Sequence, residues 1–350
     1  MEGVLFNIDF GYLEGVVRGY RNGLMTSSQY INLTQCDNLD DLKLQLSASD
    51  YAAGLNNVPG QLTTANIQSK TNETLFKQWE YLRQQAVEPM ASFMDYISYG
   101  YMIDNVVLLI TGTLHERDLA EILPRCNPLG WFDTLPALSI ATDMESLYST
   151  VLVDTPLAPF FKGCLSISDL DELNVEVIRN TLYKNYLESF HAFCNGLADP
   201  AATIMTRFLE LEADRRVINI ALNSFGISEL EKAEKKKMFP DFGALAGFAQ
   251  DQLAAAEDVD QIRSVVESIS SYRGCFDSDD TDAGTSTNLE DFFYKLEMDY
   301  CRNSFTQQFS VSVVYSWLRA KEQEIRNITW IAECIAQNQR EKLNNYISVF

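Results

Sequence analysis

Residues 321–342 read KEQEIRNITWIAECIAQNQREK, a charged opening that runs into an apolar stripe. The central part, IRNITWIAEC (325–334), lies column by column under two earlier stretches, IDNVVLLITG (103–112) and RRVINIALNS (215–224). Val106, Ile218 and Ile328 share one column; Leu108, Ile220 and Trp330 a second; Leu109, Ala221 and Ile331 a third, and all three are read as one apolar helix face. Gly112, Ser224 and Cys334 are all small, as a close helix contact requires.

Two further sets of columns recur in the same order. NLDDLKLQL (38–46), DMESLYSTV (143–151) and DVDQIRSVV (258–266) each begin with a helix-capping side chain, Asn38, Asp143 or Asp258. Each continues with an acid, Asp40, Glu145 or Asp260, where the positive end of the helix dipole favours one. The apolar row follows as Leu39/Met144/Val259, Leu42/Leu147/Ile262 and Leu46/Val151/Val266. Between these sets fall Phe76-Lys77, Tyr183-Lys184 and Tyr294-Lys295. The spans from Leu39 to Asn105, Met144 to Val217 and Val259 to Asn327 are nearly equal. Three copies of one helical unit are therefore predicted, with lobes at 1–118, 119–236 and 237–350. Such a chain forms a short solenoid or a pseudo-threefold body, a geometry suited to a collar, socket or spacer.

Helical period dominates elsewhere too, and the fold class predicted is all-α. Leu75, Trp79, Leu82, Ala86 and, after Pro89, Phe93, Met94 and Ile97 line one side of 75–97. Leu173, Val177, Ile178, Leu182, Tyr186, Leu187 and Phe190 do so in 170–193, and 289–336 contains neither Pro nor Gly, so it reads as one long helical stretch. Loops are placed at 56–64, 125–136 and the acidic 275–288. The basic EKAEKKK (231–237) reads as a solvated helix end.

A net charge of −22 gives no basic face for phosphates, so no nucleic-acid partner is expected. The seven cysteines are scattered without CxxC spacing, which argues against a zinc site or a disulfide framework. The glycosylation triplets at Asn32, Asn72 and Asn327 are read as coincidental. No signal peptide is expected, and the most apolar window, 101–114, is broken by Asp104 and Asn105. Any membrane association is therefore expected to come only through protein partners.

Catalytic, cofactor and metal sites are expected to be none. His115 lacks the second histidine of a zinc-protease helix, and His191, among aromatics, reads as a packed helix residue. The polar residues that stand out are Glu212 with Arg216 and Glu322 with Arg326, each an i,i+4 pair with the acid N-terminal, in equivalent columns of copies two and three. They form either an internal brace or a polar ring where a partner engages.

Long blocks, among them FNIDFGYLEGVVRGYRNG (6–23), YGYMIDNVVLLITGTLHERD (99–118), LVDTPLAPFF (152–161), VIRNTLYKNYLESF (177–190), EADRR (212–216) and 321–350, closely resemble the subunit d family of vacuolar-type proton-pumping ATPases, most of all its fungal form. The resemblance spans the chain. It implies an all-helical funnel of three lobes on the cytoplasmic face of the acidic-organelle membrane. There the family sits on the ring of proteolipid subunits, receives the central stalk with its subunits D and F, and neighbours the membrane-embedded subunit a. It has no catalytic residues to transfer. The competing reading is a helical-repeat scaffold or trafficking adaptor unrelated to proton pumping. A magnesium-dependent all-α lyase is disfavoured, because its only acid cluster, DSDD (277–280), lies in a polar loop.

Overall fold

A computed structural model of the chain describes residues 2–140, 153–161, 172–225, 227, 230–277 and 289–350. Among these residues every regular element is helical. The helices are α1 (Glu2–Asp9), α2 (Gly11–Asn22), α3 (Ser27–Thr34), α4 (Leu39–Leu46), α5 (Ala52–Asn56), α6 (Thr64–Gln85), α7 (Met90–Leu114) and α8 (Leu119–Ile122). They continue with α9 (Glu172–Asn195), α10 (Ala201–Asn223), α11 (Lys232–Lys237), α12 (Phe248–Ala255), α13 (Val259–Glu267), α14 (Leu289–Thr306) and α15 (Ser312–Ala336).

The expected capped helices are present where they are described. Asn38 accepts a hydrogen bond from the Asp41 amide at 2.8 Å to open α4, and Asp258 accepts from the Gln261 amide at 2.8 Å to open α13. Leu42, Leu46, Ile262 and Val266 below these caps are fully buried. Val259 is not: at the first turn of α13 it is 49% exposed, so the apolar row enters the core only from its second member. The copy-two cap at 143–151, Cys164 and most of the acidic loop (278–288) lie outside the described residues.

Two compact units emerge from the packing. The first comprises Met1–Met90, Ala198–Ile204 and Gly274–Phe350; the second comprises Ala91–Leu197 and Met205–Arg273. In the first unit α15 packs against α2, α4, α6 and α14, with Trp317, Leu318, Ile328 and Ile331 sealed from solvent. In the second, Phe93, Met94, Ile103, Val106 and Leu109 of α7 and Ile178, Leu182 and Phe190 of α9 supply much of the interior. Val175 is buried there, whereas the expected Leu173 and Val177 are only partly covered.

The apolar window at 101–114 belongs to a longer helix than expected. α7 has 25 residues and, by length and composition alone, could cross a membrane, yet half of its most apolar stretch is buried inside the protein. Asp104 and Asn105 on this helix are held by polar contacts from the same unit, from Tyr183 and the Asn127 backbone.

The long stretch 289–336 is two helices, not one. Phe309, with φ of 59°, turns the chain between α14 and α15 without help from Pro or Gly. Tertiary contacts stop α14: Arg18 on α2 donates to the Phe305 carbonyl at 3.0 Å and also to that of Gln307, and Glu14 accepts the Phe309 amide at 3.2 Å. Ser310 accepts from the Ser312 amide at 3.3 Å and restarts the helix.

Candidate functional site

The four polar residues singled out on the repeated helices sit on α10 and α15. In the second unit Glu212 and Arg216 form the expected ion pair at 2.8 Å, and Arg215 reaches the same carboxylate at 2.8 Å. The Nε–H of Arg216 finds no aligned acceptor, so this pair is a charge contact rather than a directed hydrogen bond. The Arg216 guanidinium lies 3.2 Å from the centre of the Tyr183 ring. The Tyr183 hydroxyl donates to the Gly100 carbonyl at 3.2 Å and to Asp104, which fills the Arg216 column in copy one. Burial pushes this phenol well above its ordinary range, helped by the charge of Asp104.

The first unit repeats the stack but not the expected ion pair, because Glu322 turns to Arg319 instead of Arg326. Arg326 lies 3.9 Å from the centre of the Tyr294 ring and donates to Gln323. Tyr183 and Tyr294 are equivalent members of the recurring aromatic-lysine pair, so the same arginine-on-tyrosine stack occurs in copies two and three. Glu322 receives Arg319 at 2.7 Å, and Arg319 also holds Glu297 of α14 at 2.7 Å. Arg319 and Glu297 were not visible as a site in the sequence, because their relation depends on how α14 and α15 pack.

Two buried carboxylates carry the repeat further. Asp214 on α10 is sealed from solvent and accepts from the Ala244 amide at 2.9 Å, the Leu245 amide at 3.0 Å and the Tyr272 hydroxyl at 2.6 Å. A Cβ on Gly243, whose φ is 122°, would come within 2.4 Å of that carboxylate, so only glycine fits there. Glu324 on α15, the same column one copy later, is also sealed and accepts from the Met25 amide at 2.5 Å and the Tyr51 hydroxyl at 2.7 Å. Tyr51 follows capped helix α4, and Tyr272 follows capped helix α13. In both cases the long helix of one copy grips the short-helix segment of another. Glu324 also neutralises Lys321, fully buried 2.9 Å away and 4.4 Å from the centre of the Tyr51 ring.

A third column behaves alike in copies one and three. Asn105 donates to the Asn127 carbonyl at 2.9 Å and accepts the Asn127 amide at 2.7 Å. Asn327 donates to the Ile347 carbonyl at 2.6 Å and accepts the Ile347 amide at 3.2 Å. Its burial suits the coincidental reading of that glycosylation triplet. Val106, Ile218, Ile328, Leu109, Ala221 and Ile331 all lie in the core, as do Gly112, Ser224 and Cys334. A Cβ on Gly112 would meet Ile122 at 2.2 Å, the close approach expected of that column. Trp330 departs from its column, being 37% exposed with its indole N–H on the Lys342 carbonyl at 3.1 Å.

His191 stacks on Phe242 at 4.2 Å, as expected of a packed residue, and burial lowers its pKa. Lys236 and Lys237 of the basic segment pair with Asp251 and Glu234 at a solvated helix end. Among the described residues no group of three or more His, Cys, Asp or Glu could hold a metal. These arrangements stiffen helices; they do not activate a nucleophile or poise a proton donor beside one.

The profile of the family described as ATP synthase (C/AC39) subunit matches residues 13–346. The V-type proton ATPase subunit d of Saccharomyces cerevisiae is 56% identical over 353 aligned positions, covering all of both chains. That of Neurospora crassa is 52% identical with the same coverage. The chain belongs to the V-type proton ATPase subunit d family. The Dictyostelium discoideum V-type proton ATPase subunit d is 48% identical over 99% of this chain and 96% of its own. Membership of the subunit d family agrees with the all-helical fold.

Proposed function

We propose that this chain is a non-catalytic rotor and adaptor subunit of a V-type proton pump, coupling the central stalk of the ATP-hydrolysing sector to the proteolipid ring. The full-length similarity to V-type proton ATPase subunit d proteins carries this reading. Torque passes through an adaptor only if the adaptor deforms little. Close-packed helices resist deformation, and buried side-chain anchors at Asp214, Glu324 and Asn327 tie their helices to distant chain segments.

On this reading the partners are the proteolipid ring subunits, stalk subunits D and F, and the membrane-embedded subunit a. The chain is peripheral at the cytoplasmic face of the vacuolar membrane, held there by those proteins. Its three sequence lobes, 1–118, 119–236 and 237–350, are the repeated helical units of this adaptor. Glu212, Arg216, Glu322 and Arg326 lie on the stalk-facing helices, where their partly exposed heads meet the stalk. The charge of −22 favours basic stalk and ring loops and makes assembly salt-sensitive.

The experiment is depletion and re-expression. Loss of the chain should abolish organelle acidification, re-expression should restore it, and the protein should pellet with acidic-organelle membranes until a chaotrope strips it. Normal acidification without the chain would overturn the proposal.

A further inference from the structure

One cavity leaves two acceptor atoms short of donors. It holds about 320 Å³ between α5 and α6, and Asp50, Asn57, Lys70, Glu73, Lys77 and Gln78 are among its lining residues. Glu73 takes both lysines at 2.7 Å, and these two hydrogen bonds hold its carboxyl down at about 2. Both lysines are thus engaged by one carboxylate, while two acceptors beside them are not fully served. The amide oxygen of Gln78 is buried without any hydrogen-bond partner. Asp50, a third exposed, accepts only two long bonds on one oxygen, from Gln78 at 3.3 Å and from Lys321 at 3.4 Å.

Exposed apolar side chains lie further along α6 and on α1 and α2. Thr74, Gln78 and Tyr81 follow one another at helical spacing on α6. The Tyr81 hydroxyl is hydrogen-bonded to that of Tyr12 on α2, which joins the two side chains at the surface. Tyr12 is 61% exposed and Ile8, one turn earlier, 74%. Asp9 and Glu80, beside them in the sequence, are exposed acids. Tyrosines joined through their hydroxyls, near a pocket with two acceptors short of donors, are the makings of a protein-binding hot spot.

We propose that the cavity is a socket for an arginine side chain of a partner polypeptide, whose apolar flank rests on Ile8, Tyr12 and Tyr81. Arginine offers five N–H donors in a planar fork and stays charged, so one group can serve both Asp50 and Gln78. Rotation of the Gln78 amide turns its oxygen toward the newcomer, and the guanidinium replaces the long Gln78–Asp50 bond with two charge-assisted ones. The tyrosine faces suit cations as well as aliphatic carbons, and the acidic chain attracts a basic partner over longer range. The socket stands on its own geometry, and only the crosslinking arm of its test rests on the pump reading.

The test titrates the purified full chain with an amidated helical peptide of leucine and alanine bearing one arginine, against the same peptide with neutral citrulline. The arginine peptide should bind at least about tenfold more tightly, the factor expected of one charge-assisted hydrogen bond. Gln78→Leu should weaken the arginine peptide about fivefold or more without changing the melting temperature. Tyr12→Ser with Tyr81→Ser should weaken both peptides. Equal binding of the two peptides, no binding of either, or full affinity in Gln78→Leu would overturn the proposal. In the purified membrane complex, a photo-crosslinker at Asn57 should label an arginine-containing peptide of a neighbouring subunit. Labelling of lipid or of an acidic peptide, or no labelling, counts against the proposal.

Discussion

Tyr51 donates its phenolic hydrogen to Glu324 at 2.7 Å, although 273 positions of chain separate them. The contact ties the segment after α4 to the middle of α15. Tyr272 and Asp214 repeat it at 2.6 Å in the other compact unit. Recurrence of one buried acid and one tyrosine in two copies is the most specific physical trace of the internal repeat, because neither group is tolerated in a core without its partner.

Glu324→Ala should be severely destabilising. It leaves the buried Lys321 ammonium with only Asp50 at 3.4 Å and strips Tyr51 and the Met25 amide of their acceptor. A loss of about 3–5 kcal/mol is expected from an uncompensated buried charge. Tyr51→Phe should cost about 1–2 kcal/mol, since only one hydrogen bond is lost. Urea unfolding midpoints of the two variants measure the difference.

Asp214 gives stability a pH dependence of predictable sign. Burial raises its carboxyl from 3.8 to about 6, against the pull of hydrogen bonds from Tyr272, Leu245 and Ala244. The folded chain therefore binds this proton before the unfolded chain does. Its contribution is complete below about pH 4 and is lost as pH rises through about 6, a swing of about 3 kcal/mol. Asp214→Asn should remove that slope. Unfolding free energies of both proteins from pH 4 to 7 test this; identical slopes would contradict it.

Glu322→Ala and Arg326→Ala separate a brace from a partner socket. Glu322 holds Arg319, which also holds Glu297 across two helices, and Arg326 covers Tyr294. As a brace, each variant lowers stability by about 1–2 kcal/mol. As a socket, each leaves the melting temperature near that of the parent and weakens binding of the stalk subunits. Calorimetry and a pull-down with subunits D and F read the two outcomes.

Asn327→Ala should release the C-terminal tail. The side chain is the partner of both the Ile347 amide and carbonyl, and Arg302 holds the next carbonyls, Ser348 at 2.8 Å and Val349 at 3.0 Å. Loss of the amide clamp should cost about 1–3 kcal/mol. Hydrogen exchange at the Ile347 amide should accelerate well before global unfolding does.

Local physics made much of this legible in the sequence. The caps at Asn38 and Asp258 act on amides three residues away, so the residue types alone announce them. The apolar columns at Val106, Ile218 and Ile328 are periodic and found the core. What stayed hidden depends on distant partners. The break at 307–311 comes from Arg18 and Glu14 on α2, and nothing in QQFSV predicts it. Asp214 and Glu324 stand among other charges in EADRR and KEQEIRN and look as solvated as their neighbours. Only their recurrence one copy apart distinguishes them, and copy one breaks the column with Met102.

The first compact unit joins the opening ninety residues to the closing stretch from Gly274. A ribosome therefore delivers α2, α4 and α6 long before it delivers α15, the helix on which they pack. Until α15 is made, Leu42, Leu46 and Ile67 have no complete interior to enter. The core of this unit can therefore close only once α15 has left the ribosome, and its earlier helices wait with apolar faces open.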